Sequence, residues 1–176
     1  MRQSPVRCSA VSTSVLFQLH PDLRPISFLL GRWAGEGRGE YPTIEPFDFG
    51  EEVTFSHMGK PFFAYTQRSW SLDEGAPMHT EMGYWRCRSS EQGALVDLVV
   101  AHPTGHVELS EGSVEGSVLN LSSVRVEKVP GAKDVARIVR RLAVRGDELS
   151  YELDMMAVGR ELVPHLHGVL RRVAGP

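Results

Sequence analysis

Near its C-terminal end the chain reads Val163-Pro164-His165-Leu166-His167-Gly168-Val169-Leu170-Arg171-Arg172. On an alternating strand two imidazoles two residues apart share a face, and a proline is admissible at the strand's start. A strand that only closes a sheet has no use for either histidine. Histidine is the commonest metal ligand among side chains. The pair therefore has two readings: edge-strand histidines facing water, or an imidazole that ligates a metal or a cofactor iron. Strict alternation sets His165 and His167 opposite the more apolar Leu162, Pro164, Leu166, Gly168 and Leu170. An inward-facing His165 then requires a bulge at Pro164 or a ligand in an outer cleft. Other chemistry is sparse. There is no hydrolytic triad or dyad, and Cys8 and Cys87 form no CxxC or zinc-type spacing, which reads as reduced thiols in a cytoplasmic protein.

Length and composition limit what can position those groups. With 176 residues, 41% hydrophobic and 23% charged, the chain has the composition of one globular domain. A net charge of -3 and a pI near 6.2 give no general attraction to nucleic acid or anionic lipid. The basic run RIVRRLAVR, Arg137 to Arg145, is interleaved with apolar residues and reads as a solvated face. Residues 1–19 lack periodicity and read as a disordered or loosely ordered tail. Their apolar part is too short and too rich in Ser and Thr for a secretion signal. No window approaches eighteen apolar residues, so a soluble, cytoplasmic protein without a membrane partner is expected.

From residue 20 onward the punctuation is that of an all-β protein. His20-Pro21 through Leu30 suits a short helical turn packed on the end of something larger. In GRWAGEGRGEYPTI, glycines 31, 35, 37 and 39 surround Trp33. No strand precedes this run and no helix former follows, so it is not a phosphate cradle. Alternating glycines strip side chains from one face and admit sharp coiling, or close approach of a backbone or a flat ligand. Strand-like runs then follow at short intervals, through 49–58, 61–72, 79–88, 94–102, 106–112 and 117–128. Segment 134–144 matches both periods and reads as a strand because Gly146-Asp147 makes a hairpin turn before 147–156. There Leu149, Tyr151, Leu153 and Met155 alternate with polar residues. About ten strands without a long helix predict a single antiparallel β-barrel of the lipocalin and fatty-acid-binding type.

Three stretches in order resemble the nitrobindin family of small haem-binding barrels. The first is Gly31-x-Trp33-x-Gly35-x-Gly37 running into Tyr41-Pro42-Thr43-Ile44. The second is Gly59-Lys60-Pro61 and Tyr65, then Met78-His79-x-Glu81-x-Gly83-Tyr84-x-Arg86. The third is Met155 through Gly159 followed by His165-Leu166 and Leu170-x-Arg172. Together they span residues 20 to 173. The resemblance implies a haem-binding domain over residues 20–176 and His165 as both the axial ligand of a b-type haem (iron protoporphyrin IX) and the catalytic residue. It implies a pocket lined by Met78, His79 and Met155, with Thr43 touching the porphyrin or a propionate. Lys133, in Ala132-Lys133-x-Val135, is a propionate candidate. His102 stands where the family commonly has glutamine and offers a second imidazole as a sixth ligand. Apolar surface for the slot is expected from Phe28, Leu29 and Trp33 as well.

The activity the resemblance implies is isomerisation of peroxynitrite to nitrate by ferric haem, with nitric oxide binding at the same position. A homodimer is compatible with it. His79 reads as a distal hydrogen-bond donor or simply as one side of the alternation in MHTEMGYW. His20, His57 and His106 read as loop or solvent residues, and Glu81, Asp97 and Glu108 as strand acids without evident partners. The rival reading is a haem-free barrel that carries a fatty acid, its carboxylate held by Tyr65, Arg68 and Arg86. A purely structural barrel is the third.

Overall fold

The computed structural model describes residues 17–91 and 93–174, so most of the expected N-terminal tail, residues 1–16, lies outside the described residues. A 3-10 helix, Pro21–Leu29, comes first. His20 caps it by accepting the Asp22 amide, and Pro21 and Pro25 suit a short irregular turn better than a long helix. Among the described residues ten strands follow: β1 Gly31–Tyr41, β2 Ile44–Ser56, β3 Phe63–Ser71, β4 Pro77–Ser90, β5 Gly93–His102, β6 His106–Glu115, β7 Val118–Lys128, β8 Val135–Arg145, β9 Glu148–Ala157 and β10 Val163–Val173. Each pairs antiparallel with its sequence neighbours, and β1 pairs with β10 to close the barrel, so the expected architecture is the observed one. No described helix is long and apolar enough to cross a membrane.

One end of the barrel is plugged. Leu23, Ile26 and Leu29 of the helix are fully buried there beside Trp33. The Trp33 indole N–H donates to the Leu29 carbonyl at 2.8 Å. The Arg172 guanidinium stacks over the same indole at 4.0 Å and donates to the carbonyls of Phe28 and Leu30, so β10 fastens the plug. Phe28, Leu29 and Trp33 are therefore parts of the plug and do not line the ligand cavity, a correction to the expected apolar slot.

The glycines of β1 act through the absence of side chains. A Cβ on Gly37 would lie 2.5 Å from the Phe49 ring, and one on Gly39 would lie 2.3 Å from the Phe47 ring. The flat groups laid against this strand are thus two aromatic rings from β2, which glycine alone accommodates.

On β4 and β6 the usual alternation is turned inside out. Glu81, His106, Glu108 and Ser110 are buried, while Met82 and Tyr84 are 61% and 51% exposed and Val107 is exposed too. Polar groups sit inside this wall of the barrel and apolar groups outside it. That inversion positions much of the site.

Candidate functional site

His165 reaches the interior through a break in register. β10 pairs Pro164 with Asp154 and Leu166 with Leu153, so His165 is the extra residue of a β-bulge. The bulge that strict alternation required is present, and it separates the two histidines: His165 is half-buried and lines the cavity, whereas His167 is exposed. The shared face expected for the pair is corrected accordingly. The His165 Nδ1–H donates to the Glu40 carbonyl at 2.9 Å, since a carbonyl can only accept. Nε2 is left as the free lone pair. The Tyr41 ring meets the imidazole edge-on at 5.4 Å, and the Tyr41 hydroxyl is itself fixed by donating to the Ala157 carbonyl and accepting from its amide. Burial lowers the His165 pKa, partly offset by the Glu40 bond, so the ring is neutral and able to ligate at neutral pH.

The cavity that His165 faces has a volume of about 440 Å³. Thr43, Met78, His79, His102, Lys133, Met155 and His165 all line it, so one space brings together these seven candidate haem-site residues. Their depths differ. Thr43, in the β1–β2 turn, Met78 and Lys133 are exposed at the rim; His79 and Met155 are half-buried; the His102 side chain is only 9% exposed. His102 turns toward carboxylates, with Nδ1 at 3.6 Å from Glu81 and Nε2 at 3.4 Å from Glu108.

The floor of the cavity is a buried ionic cluster that alternation did not reveal. Arg140 on β8 donates through Nε and Nη2 to Glu108 and through Nη2 to Glu81 at 3.0 Å. Tyr65 donates to the other oxygen of Glu81 at 3.1 Å and Ser110 to Glu108 at 2.6 Å. Burial alone would raise both carboxyl pKa values; Arg140 overrides it, holding Glu81 far below the usual range and Glu108 down to about 2. Beside them Glu51 has no cation bonded to it among the described residues. It accepts from Gln67 at 2.9 Å and is pushed up by burial to about 7, the hydrogen bonding around it offsetting only part of that rise.

Five residues depart from the expectations drawn from the sequence. Glu81 and Glu108 have partners, Arg140 is not part of a solvated face, and His106 is buried rather than in solvent. Its Nε2–H donates to the Lys133 carbonyl at 2.8 Å and its Nδ1 lies 3.0 Å from the Thr104 hydroxyl. Asp97 is paired as well, with Arg88 on the outer surface. The signal that could have located Arg140 is its place in the series Ile138, Arg140, Leu142, Val144, whose apolar members all face inward. The arrangement that a fatty-acid carrier needs is not assembled, because Tyr65 is committed to Glu81, Arg68 lies outside on Glu52, and Arg86 is exposed.

The family model described as the THAP4-like, heme-binding beta-barrel domain matches residues 22–172. The chain belongs to this family. Among curated relatives of this haem-binding barrel family, Peroxynitrite isomerase 1 of Mycolicibacterium paratuberculosis is 47% identical over 158 residues, covering 88% of this chain and 96% of the relative. Peroxynitrite isomerase 2 of Mycobacterium marinum is 49% identical over the same length and coverage. The crystal structure of Rv2717c from M. tuberculosis superposes with a TM-score of 0.82 at 45% identity, covering 89% of this chain and all of that one.

The residues present fit a haem. Nε2 of a neutral imidazole is free and directed by a hydrogen bond on the opposite nitrogen, the arrangement in which a ligating histidine is held. The wall beside it includes Ile44, Phe47, Val135, Met155 and Leu166, an apolar surface suited to a porphyrin face.

Proposed function

We propose that this chain is a haem-dependent isomerase that converts peroxynitrite to nitrate, with His165 as the residue that would hold the iron. The observation that carries the reading is the bulge at His165, which turns one imidazole nitrogen into an apolar cavity while Glu40 fixes the other. Ferric haem held through a single imidazole supplies an open coordination position that polarises an anionic oxygen ligand. The protein's residues do the remainder. Glu40 and Tyr41 hold the imidazole in one tautomer and orientation. Met155 and Leu166 would exclude water from the cavity beside His165, with Met78 at its rim. The Thr43 hydroxyl and the Lys133 ammonium, at the rim, meet the propionates. His79, half-buried in the same cavity, would present an N–H to the bound anion. In its ferrous form the same haem group would bind nitric oxide.

The test is the visible spectrum of the full chain after haem addition. A Soret band that shifts with nitric oxide, survives His167→Ala and is lost in His165→Ala is expected, together with loss of peroxynitrite isomerisation in that variant. A Soret band unchanged in His165→Ala overturns the assignment.

Two further features belong to this reading. Met82, Tyr84, Val99 and Val107 are exposed on neighbouring strands β4, β5 and β6, and a second copy of the chain covers this outer face. Sedimentation at micromolar concentration detects the homodimer, and Tyr84→Lys disperses it. Cys87, buried and a free thiol pushed up to about 11 mainly by burial, suits the reducing cytoplasm.

A further inference from the structure

In the wall of the same cavity three side chains from two strands converge, of which the proposed haem chemistry uses only His79. His79 and Glu81 of β4 and His102 of β5 each offer one ligand atom, and the three atoms lie within 4.8 Å of one another. Two of the edges are known: His79 Nε2 lies 3.8 Å and His102 Nδ1 lies 3.6 Å from the same oxygen, Glu81 Oε1. Ligands about 2.0–2.1 Å from a tetrahedral ion stand roughly 3.3 Å apart. These edges are therefore a few tenths of an ångström from a bound geometry.

We propose that His79, Glu81 and His102 form a site for a divalent first-row metal ion of the zinc or ferrous class, separate from His165. Two imidazoles and one carboxylate are the donor set such ions take, and three protein ligands leave a position open toward the cavity. The surroundings supply what a metal site needs beyond its ligands. With His102 Nδ1 on the ion, its Nε2–H faces Glu108 Oε2 at 3.4 Å. That nitrogen is buried and has no hydrogen-bond partner as the chain stands, and a shift of a few tenths of an ångström makes it a donor to the carboxylate. Glu108 is itself fixed by Arg140 and Ser110.

Charge favours a cation. Glu81 and Glu108 carry two negative charges against the single positive charge of Arg140, leaving one in excess. An ion on Glu81 Oε1 competes there with Arg140 Nη2, at 3.0 Å, but Arg140 keeps its bonds to Glu108 and Tyr65 keeps the second oxygen of Glu81. Entry is through the cavity, onto which the partly exposed His79 opens.

The probe is Co²⁺ added to the full chain without haem, followed by equilibrium dialysis and visible absorption. One ion per chain with the intense bands of four-coordinate Co²⁺ is expected. His79→Ala, at a partly exposed position, and His102→Gln, which preserves volume, each weaken binding by roughly 100-fold while circular dichroism stays that of the folded barrel. His165→Ala leaves it unchanged, which separates this site from the haem reading. Binding that survives both substitutions, weak six-coordinate spectra, or loss in His165→Ala instead overturns the proposal. So does the absence of stoichiometric binding to the unsubstituted chain.

Discussion

His165 and Arg140 face the same cavity from opposite kinds of support. His165 has one hydrogen bond to a backbone carbonyl and an aromatic edge beside it, and it forms no ion pair among the described residues. Arg140 donates four hydrogen bonds to two ionised carboxylates and is almost fully buried. With His165 as the proposed ligand, the difference separates two tasks. A ligand must present an uncommitted lone pair, so its restraint falls on the nitrogen that does not react. A buried ion must have no uncommitted capacity, because an unpaired charge in the interior is costly.

Breaking the ionic side has the larger expected effect. Arg140→Met strands Glu81 and Glu108 without their cation and destabilises the fold by about 3–5 kcal/mol. Thermal unfolding reads this as a fall of about 10 °C for a domain of this size. A loss below about 1 kcal/mol would mean the cluster is hydrated and loosely held.

Glu51 sharpens the same contrast through pH. Its folded pKa is raised from 4.5 to about 7, so between those values the native state holds a proton that the unfolded chain has released. Stability therefore falls as pH rises from 4.5 to 7, by an amount on the order of 3 kcal/mol. Glu108 works in the opposite direction, its contribution being lost as pH falls from 4.5 toward about 2. Glu51→Gln keeps an acceptor for Gln67 and flattens the upper window. Urea midpoints at pH 5 and pH 8 measure it, and an unchanged slope in the variant would exclude Glu51 as the source.

On the histidine side the effects are smaller. Tyr41→Phe leaves the buried amide and carbonyl of Ala157 without their shared hydroxyl and costs about 1–3 kcal/mol. Because Tyr41 also steadies His165, haem affinity falls in parallel. A stability loss with haem titration unchanged would detach the two roles. His167→Ala, at an exposed position, stays within about 0.5 kcal/mol of the parent and retains haem.

What could be read from the sequence follows from what period two encodes. Alternation in Leu149, Tyr151, Leu153 and Met155 identified an inward face, and turn residues between runs gave the strand count and the barrel. Period two tells which residues share a face, not which face is inside. On β4 and β6 the polar series faces inward, so Glu81 and Glu108 escaped notice, and Arg140 was lost in a run of arginines whose other members face solvent. His165 was legible as a ligand only through its family resemblance, because a bulge shifts register by one residue without any mark in composition. The Glu40 carbonyl that orients it is a backbone atom 125 residues away in the chain, invisible to any pattern of side chains.

Closure of β1 against β10 has a consequence for how the molecule is made. The His165 imidazole and the Glu40 carbonyl that orients it come from opposite ends of the barrel's strand order, so their hydrogen bond exists only after the seam has zipped. The hydrogen bond that orients His165 is therefore incomplete until β10 has been made and has docked on β1. With His165 as the proposed ligand, haem uptake reports on closure of that seam, and a lesion that unzips it is expected to weaken the grip on the prosthetic group.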